Sequence, residues 1–174
     1  MITSLGSPVQ MSFVVPDLDT AMSHWIETAD TGPFHAFRRV DDLGVTYRGT
    51  PTPLSISIGL AQLGSMHIEL IEQHSLEPSV YRDAYAPGHG GFHHLCFPVP
   101  DIDATVEQYR DAGFEVGMHL RFGDTPVAYI DTRPAIGCMT ELIRNDPEIL
   151  DLYAAVADSA IGWDGSDPIR ILNR

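Results

Sequence analysis

An α+β fold made of two βαβββ units is what this sequence predicts, and three observations carry the prediction. Residues 8–19 read PVQMSFVVPDLD and residues 92–103 read FHHLCFPVPDID, so that with Pro16 set on Pro100, Gln10 falls on His94. Each copy runs on into a stretch with helical spacing, TAMSHWIETAD after the first and ATVEQYRDAGF after the second, with Trp25 and Tyr109 at matching places. The two halves also close alike: MHIELIEQ at 66–73 and MTELIR at 139–144 superpose with Glu69 on Glu141.

The opening strands show period-two alternation, with Met11, Phe13 and Val15 opposite Gln10, Ser12 and Val14, and Leu95, Phe97 and Val99 opposite His94, Cys96 and Pro98. In the first helix Leu18, Met22, Trp25 and Ile26 recur at i, i+4, i+7 and i+8, and Asp17 and Asp101 stand where N-caps belong. GVTYRG and PLSISIGLA in the first unit, and EVGMHLRF and PVAYID in the second, read as strands joined by turns. The second unit is the shorter in its middle. The resulting organisation is a single domain over 1–174, with modules at about 8–73 and 92–144 and a linker at 74–91 holding a GHGG cluster. An extension at 145–174 opens with the helical pattern DPEILDLYAAVADSA and continues into WDGSDPIRIL.

Composition excludes several functions. The 24 acidic against 10 basic residues give a net charge of −14, which repels phosphate backbones and argues against nucleic acid as a partner. Every basic residue is an arginine, so Schiff-base and P-loop lysine chemistry are absent. No apolar run approaches membrane-spanning length and no signal-peptide pattern opens the chain, so a cytoplasmic protein that does not meet a membrane is expected. Cys96 and Cys138 lack zinc-ribbon or disulfide spacing and are expected as reduced core thiols.

The alternation carries the functional argument. The wholly apolar face of each strand belongs under the helix, which leaves one potential ligand on the other face of the first and last strand of each unit. If the two sheets pair, Gln10, Glu69, His94 and Glu141 converge. Three oxygen donors and one nitrogen suit a single borderline to hard divalent cation, which could be Zn, Co, Ni, Mn or Fe. His93 is expected on the face opposite His94, in a structural role. His67 shares the face of Glu69, where it would line a pocket or meet solvent, and His24, His74, His89 and His119 are expected in solvent or loops.

With VVPDLD, PVPDID, HIELIEQ, GFHHLCFPV and GCMTELIR in view, the sequence over roughly 8–144 resembles the vicinal oxygen chelate superfamily. That superfamily includes glyoxalase I, methylmalonyl-CoA epimerase, extradiol dioxygenases and antibiotic-resistance proteins. ELIEQ before a Tyr-containing linker, the HH pair and AYIDTRPAIGCMTELI resemble its glyoxalase-like branch near the epimerases. The ligand order Gln, Glu, His, Glu is closer to eukaryotic glyoxalase I than to the His, Gln, His, Glu of those epimerases. The resemblance implies a U-shaped, partly open barrel around a divalent metal, often in a homodimer, and a segment after the first helix that enters the pocket and brings His35 to the substrate. Arg48, Arg121 and Tyr129 could supply donors to a substrate oxyanion.

The expected activity is a metal-dependent isomerase, epimerase or lyase that takes a proton beside the carbonyl of a small molecule, with Glu141 as first candidate base and Glu69 as second. The alternatives are a non-catalytic binder of small apolar molecules with the same fold and an iron-dependent ring-cleaving oxygenase. Gln10 in place of a first histidine counts against the oxygenase.

Overall fold

The structure, a computed structural model, describes residues 5–172 and has the predicted α+β character. Strand β1 (Gln10–Val14) leads into helix α1 (Leu18–Ala29), followed by β2 (Phe34–Val40), the short β3 (Thr46–Tyr47) and β4 (Thr50–Pro51), β5 (Ile56–Leu63) and β6 (Met66–Gln73). After the linker helix α2 (Val80–Ala84) come β7 (Gly91–Val99), α3 (Ile102–Asp111), β8 (Val116–Phe122), β9 (Thr125–Ile130), the single turn α4 (Arg133–Ile136) and β10 (Met139–Arg144). Helix α5 (Pro147–Ala160) and strand β11 (Ile169–Leu172) complete the described chain.

All the strands join one curved sheet in the order β11-β2-β5-β6-β1-β7-β10-β9-β8-β3-β4. Read outward from the antiparallel β1–β7 seam, the order β1-β6-β5-β2 on one side matches β7-β10-β9-β8 on the other, so the repeat in the sequence is a repeat in topology. Asp17 accepts a hydrogen bond from the Thr20 amide and Asp101 from the Ala104 amide, so both predicted N-caps are in place. Leu18 and Met22 of α1 pack on Phe34, Ala36, Ile68 and Leu70, while Ile102, Val106 and Tyr109 of α3 pack on Val99, Ala128, Ile130 and Leu142. The largest apolar cluster fills the concave side and draws on both halves of the sheet.

Two expectations are corrected. The segment GPFHAFRR after the first helix, to which the sequence pattern assigned no strand, forms the strand β2 from Phe34 on. Its helix-side residues Phe34 and Ala36 are buried, and so are His35 and Phe37 on the concave side, which erases the polar–apolar alternation by which a strand is recognised. GVTYRG is likewise no neighbour of PLSISIGLA. It carries β3, which crosses to the other half and pairs with β8, Thr46 opposite His119 and Tyr47 opposite Met118. The Leu43 carbonyl accepts from the Arg121 amide and the Gly117 carbonyl from the Arg48 amide, so this insertion straps the open side of the barrel.

The linker and the extension both turn inward. Val80 and Tyr81 of α2 are buried in the concave cluster. The GHGG stretch passes so close to β1 that a Cβ on Gly90 would lie 2.2 Å from the Val14 carbonyl oxygen, which only glycine permits. Helix α5 lays Ile149, Tyr153 and Val156 into the concave cluster, an apolar anchorage of roughly 1.5–3 kcal/mol for each fully buried side chain. Strand β11 extends the sheet parallel to β2. Among the described residues, no helix is long and apolar enough to cross a membrane.

Candidate metal centre

The strands flanking the seam bring the four singled-out side chains onto the concave face. Ser12 of β1 is opposite His94 of β7, and Gln10 is opposite Cys96, which makes Gln10 and His94 diagonal neighbours. One ligand-capable atom each from Glu69, His94 and Glu141 lies within 4.8 Å of the others, and all three residues are buried. His94 Nε2 lies 2.7 Å from Glu141 Oε2 and 3.4 Å from Glu69 Oε2, yet it has no aligned hydrogen-bond partner. Gln10 Oε1 is also buried and unpartnered. An orphaned amide oxygen in a dry site is costly.

Neighbouring groups fix the orientation of these atoms. Gln10 Nε2 donates to Ser12 Oγ over 3.2 Å, and Ser12 Oγ donates to Glu69 Oε2 over 2.7 Å. An amide nitrogen can only donate, so the Gln10 oxygen is the atom left free. Along β7, Phe92 is opposite Phe13 and His94 opposite Ser12, which leaves His93 without a partner on β1. This bulge corrects the expectation that His93 points away from His94, because simple alternation ends where an extra residue is inserted. The His93 ring instead packs near Tyr81 and Tyr129, with Nε2 3.0 Å from the Val80 carbonyl and Nδ1 2.8 Å from His94 Nδ1.

Those contacts assign the tautomers. A carbonyl accepts only, so His93 Nε2 carries a proton. Burial, reinforced by the neighbouring His94, holds the His93 imidazole down to about 3, so it is neutral and its Nδ1 is an acceptor. His94 Nδ1 must then donate to it, and the site-facing position of His94 is Nε2. Burial pushes His94 down, but Glu141 and then Glu69 outweigh it and lift it to about 9. Burial pushes Glu141 up, and the facing His94 more than reverses that, with Tyr129 and Cys96 adding to the lowering. Glu69, His94 and Glu141 converge and Gln10 Oε1 is buried and unpartnered on the same cavity wall; with the His94 Nε2 proton released, this set of three oxygen donors and one nitrogen fits a divalent metal ion.

A cavity opens beside these groups. Its polar edge comes from Gln10, Glu69, Glu141, Tyr81, Tyr129 and Tyr153, and the rest of its lining is aliphatic or phenyl. Tyr129, singled out as a donor to substrate, lines this cavity. His67 is buried behind the lining, stacked on Tyr153 with centroids 4.8 Å apart. His35 lies outside it, under α5, with Nε2 2.9 Å from Ser159 Oγ. Arg48 is on the β3–β4 turn, held by Asp83, Glu115 and Asp131, and is no part of the lining. Arg121 is exposed because Leu120 takes the inward position of β8, and alternation turns its neighbour out. His74 lies in the loop after β6, as expected, with Ser57 Oγ at 2.7 Å, whereas His119 lies on β8 with its imidazole pushed down by burial.

Sequence reasoning passed over Ser12, Cys96, Tyr81 and Tyr153 at this site. For the first two a signal existed, since Ser12 and Cys96 occupy equivalent places in the repeat, each two residues beyond a predicted ligand. Both cysteines are free and buried, as expected.

A duplicated α+β barrel with a buried carboxylate–imidazole centre at its seam is a recognisable class. A sequence model of the Glyoxalase/Bleomycin resistance protein/Dioxygenase superfamily matches residues 9–129, and the chain belongs to that superfamily. Among solved structures it is similar to methylmalonyl-CoA epimerase from Mycobacterium tuberculosis, with 21% identity over 87% of this chain and 96% of that one and a TM-score of 0.59. A methylmalonyl-CoA epimerase in complex with methylmalonyl-CoA and NH4+ gives 22% identity over 83% and 97% of the two chains and a TM-score of 0.57. A hypothetical protein from Bacillus halodurans C-125 gives 17% identity over 80% and 94% and a TM-score of 0.56. At these identities the likeness is one of fold. No curated protein matches the sequence significantly.

Proposed function

We propose that this protein is a divalent-metal-dependent isomerase, epimerase or lyase that takes a proton from the carbon beside a carbonyl of a small molecule. The observation that carries the proposal is the buried convergence of Glu69, His94 and Glu141, with one ligand-capable atom of each within 4.8 Å of the others, beside the unpartnered Gln10 Oε1. These four residues would hold the ion. When bound, the ion supplies Lewis-acid stabilisation of negative charge on the substrate's carbonyl oxygen. Glu141, on the cavity wall, takes the proton, and Glu69, tied to Ser12, contributes charge and geometry. The aliphatic walls exclude water, which strengthens each electrostatic contact inside. Two free buried cysteines support a reducing, cytoplasmic setting, and the sheet edges at β4 and β11 are where a homodimer would pair.

The test is proton–deuterium exchange at the acidic carbon of a substrate carbonyl compound, read together with metal content. Glu141→Gln keeps an oxygen donor but removes the basicity, so metal should stay while exchange falls about 10²-fold or more. Exchange that survives in Glu141→Gln and vanishes in Glu69→Gln would move the base to the first module. A second reading, a metal-free binding protein, draws on the 2.7 Å approach of His94 to Glu141, an ion pair that offsets part of the buried charge without a metal. Protein purified without chelator that holds no divalent ion would favour that reading.

A further inference from the structure

We infer that the ligand of the cavity is a small, uncharged, largely apolar carbonyl compound, and that the C-terminal helix α5 sets its size. The inference rests on the proposed metal centre as the polar end of the site and concerns what fills the remainder. Away from that end the walls are aliphatic and phenyl, among them Ile58, Leu60, Leu120, Val127 and Ile143. No arginine or histidine is among the lining residues, and the sequence has no lysine. The arginines on nearby elements are engaged elsewhere: Arg48 and Arg133 with Asp131, Arg121 with Asp124, and Arg144 with Asp146.

Away from the metal end, a ligand carboxylate or phosphate would lose its hydration and find no cationic side chain to replace it, a penalty that a neutral apolar body avoids. The approach has the same bias. A surface recess adjoins the cavity through Phe122, Ile149 and Leu152, and the charged side chain in its lining is Glu148. With −14 over the whole chain, a polyphosphate carrier such as CoA meets repulsion on the way in.

Size follows from α5. Ile149, Leu152 and Tyr153 form one wall of the cavity, whose free space is about 40 Å³, so the side chains of α5 set how large a ligand it takes. Leu152 is only partly buried and lies between cavity and recess, so its isobutyl group limits how far a ligand can extend. The helix that closes the barrel would thereby select the ligand.

Calorimetric titration of the full chain loaded with Mn2+ tests this, with acetoin and 2-hydroxyacetophenone as neutral probes and methylmalonyl-CoA as the charged one. Both ketones should bind more tightly than the thioester, with affinities insensitive to salt. Leu152→Ala should shift the balance toward the aryl ketone about tenfold, the usual scale for apolar groups in a pocket, and Leu152→Met should leave it near that of the parent. Tighter binding of methylmalonyl-CoA, failure of both ketones to bind, or an unchanged ketone ratio in a folded Leu152→Ala protein would each overturn the inference. Metal content measured separately keeps the two readings apart. Ketone binding to a protein that takes up no metal sinks the metal reading and leaves the ligand class standing, whereas a metal-loaded protein that prefers the thioester does the reverse.

Discussion

Replacement of His93 tests how the centre is held without any need for a substrate. His93 cannot reach the ligand cluster with a free nitrogen, because its Nε2 is spent on the Val80 carbonyl and its Nδ1 on His94. Its role is to accept from His94 Nδ1 and so keep His94 Nε2 as the atom that faces Glu69 and Glu141. His93→Phe preserves an aromatic ring among Tyr81 and Tyr129 but leaves the His94 Nδ1–H buried without an acceptor. An unsatisfied buried donor costs about 1–3 kcal/mol, and loss of a group that orients a metal-ligating histidine typically lowers affinity about 10–100-fold. We expect a fall in that range for Zn2+ and Co2+, measured by competition with a chromophoric chelator. His93→Asn places an amide oxygen near the position of the lost Nδ1 and should recover most of the affinity, while both variants lose the Val80 contact and some thermal stability. The 15N shifts of the His94 ring should show Nδ1 protonated in the parent and in His93→Asn. Unchanged metal affinity in a folded His93→Phe protein, or equal losses in both variants, would refute the reasoning.

Two further outcomes follow from neighbouring contacts. Ser12→Ala removes the 2.7 Å donor to Glu69 and the acceptor of the Gln10 amide, and should cost about 1.5–3 kcal/mol of combined stability and metal affinity, read by denaturant titration and chelator competition. His35 has its imidazole pushed below the ordinary 6.5 by burial and then by Arg170, with Asp167 opposing. The unfolded chain therefore takes up that proton more readily than the folded one, so this part of the stability is present above about pH 6.5 and is lost as pH falls below it. Urea titrations across that range should show a shallower decline for His35→Gln, and an unaltered slope would remove His35 from the account.

What could be read from the sequence was what local periodicity and internal repetition encode. Gln10, Glu69, His94 and Glu141 lie on strands whose other face packs under a helix, so strict alternation assigned all four to one face, and Glu69, His94 and Glu141 do come together on it. The same rule failed at His93, because a bulge alters the side-chain direction without changing composition. Strand β2 was hidden by being buried on both faces. The β3–β4 strap was hidden because its partner, β8, lies in the other half of the chain, where no local pattern points. The inward placement of Tyr81 and Tyr153 has the same origin, since α2 and α5 lie outside the repeated units and their docking is decided by the concave apolar cluster. Arg48 and Arg121 were drawn to the site by chemistry alone, and an acidic chain offered each of them carboxylates elsewhere.

The repeat also separates the two carboxylates. Glu69 and Glu141 are equivalent by position, but Glu69 accepts from Ser12, whereas Cys96, the residue equivalent to Ser12, has its Sγ 4.0 Å from the Tyr153 hydroxyl. Around Glu69 the chain runs one way: the Gln10 amide can only donate to Ser12, so Ser12 donates to the carboxylate, and a proton arriving on that oxygen would face a donor with little freedom to turn. Glu141 differs. Tyr129, which lines the same wall and holds Glu141 down, is 2.9 Å from Tyr81 in a pair where either oxygen can donate. Tyr129 can donate to Glu141 while the carboxylate is charged, then turn toward Tyr81 and accept from Glu141 once it is protonated. A network that can invert accommodates both protonation states of its carboxylate at little cost, and a base must pass between those states in every turnover. The proposed division of labour, with Glu69 fixed and Glu141 taking the proton, thus has support in which hydrogen bonds can reverse, in addition to which atoms are near.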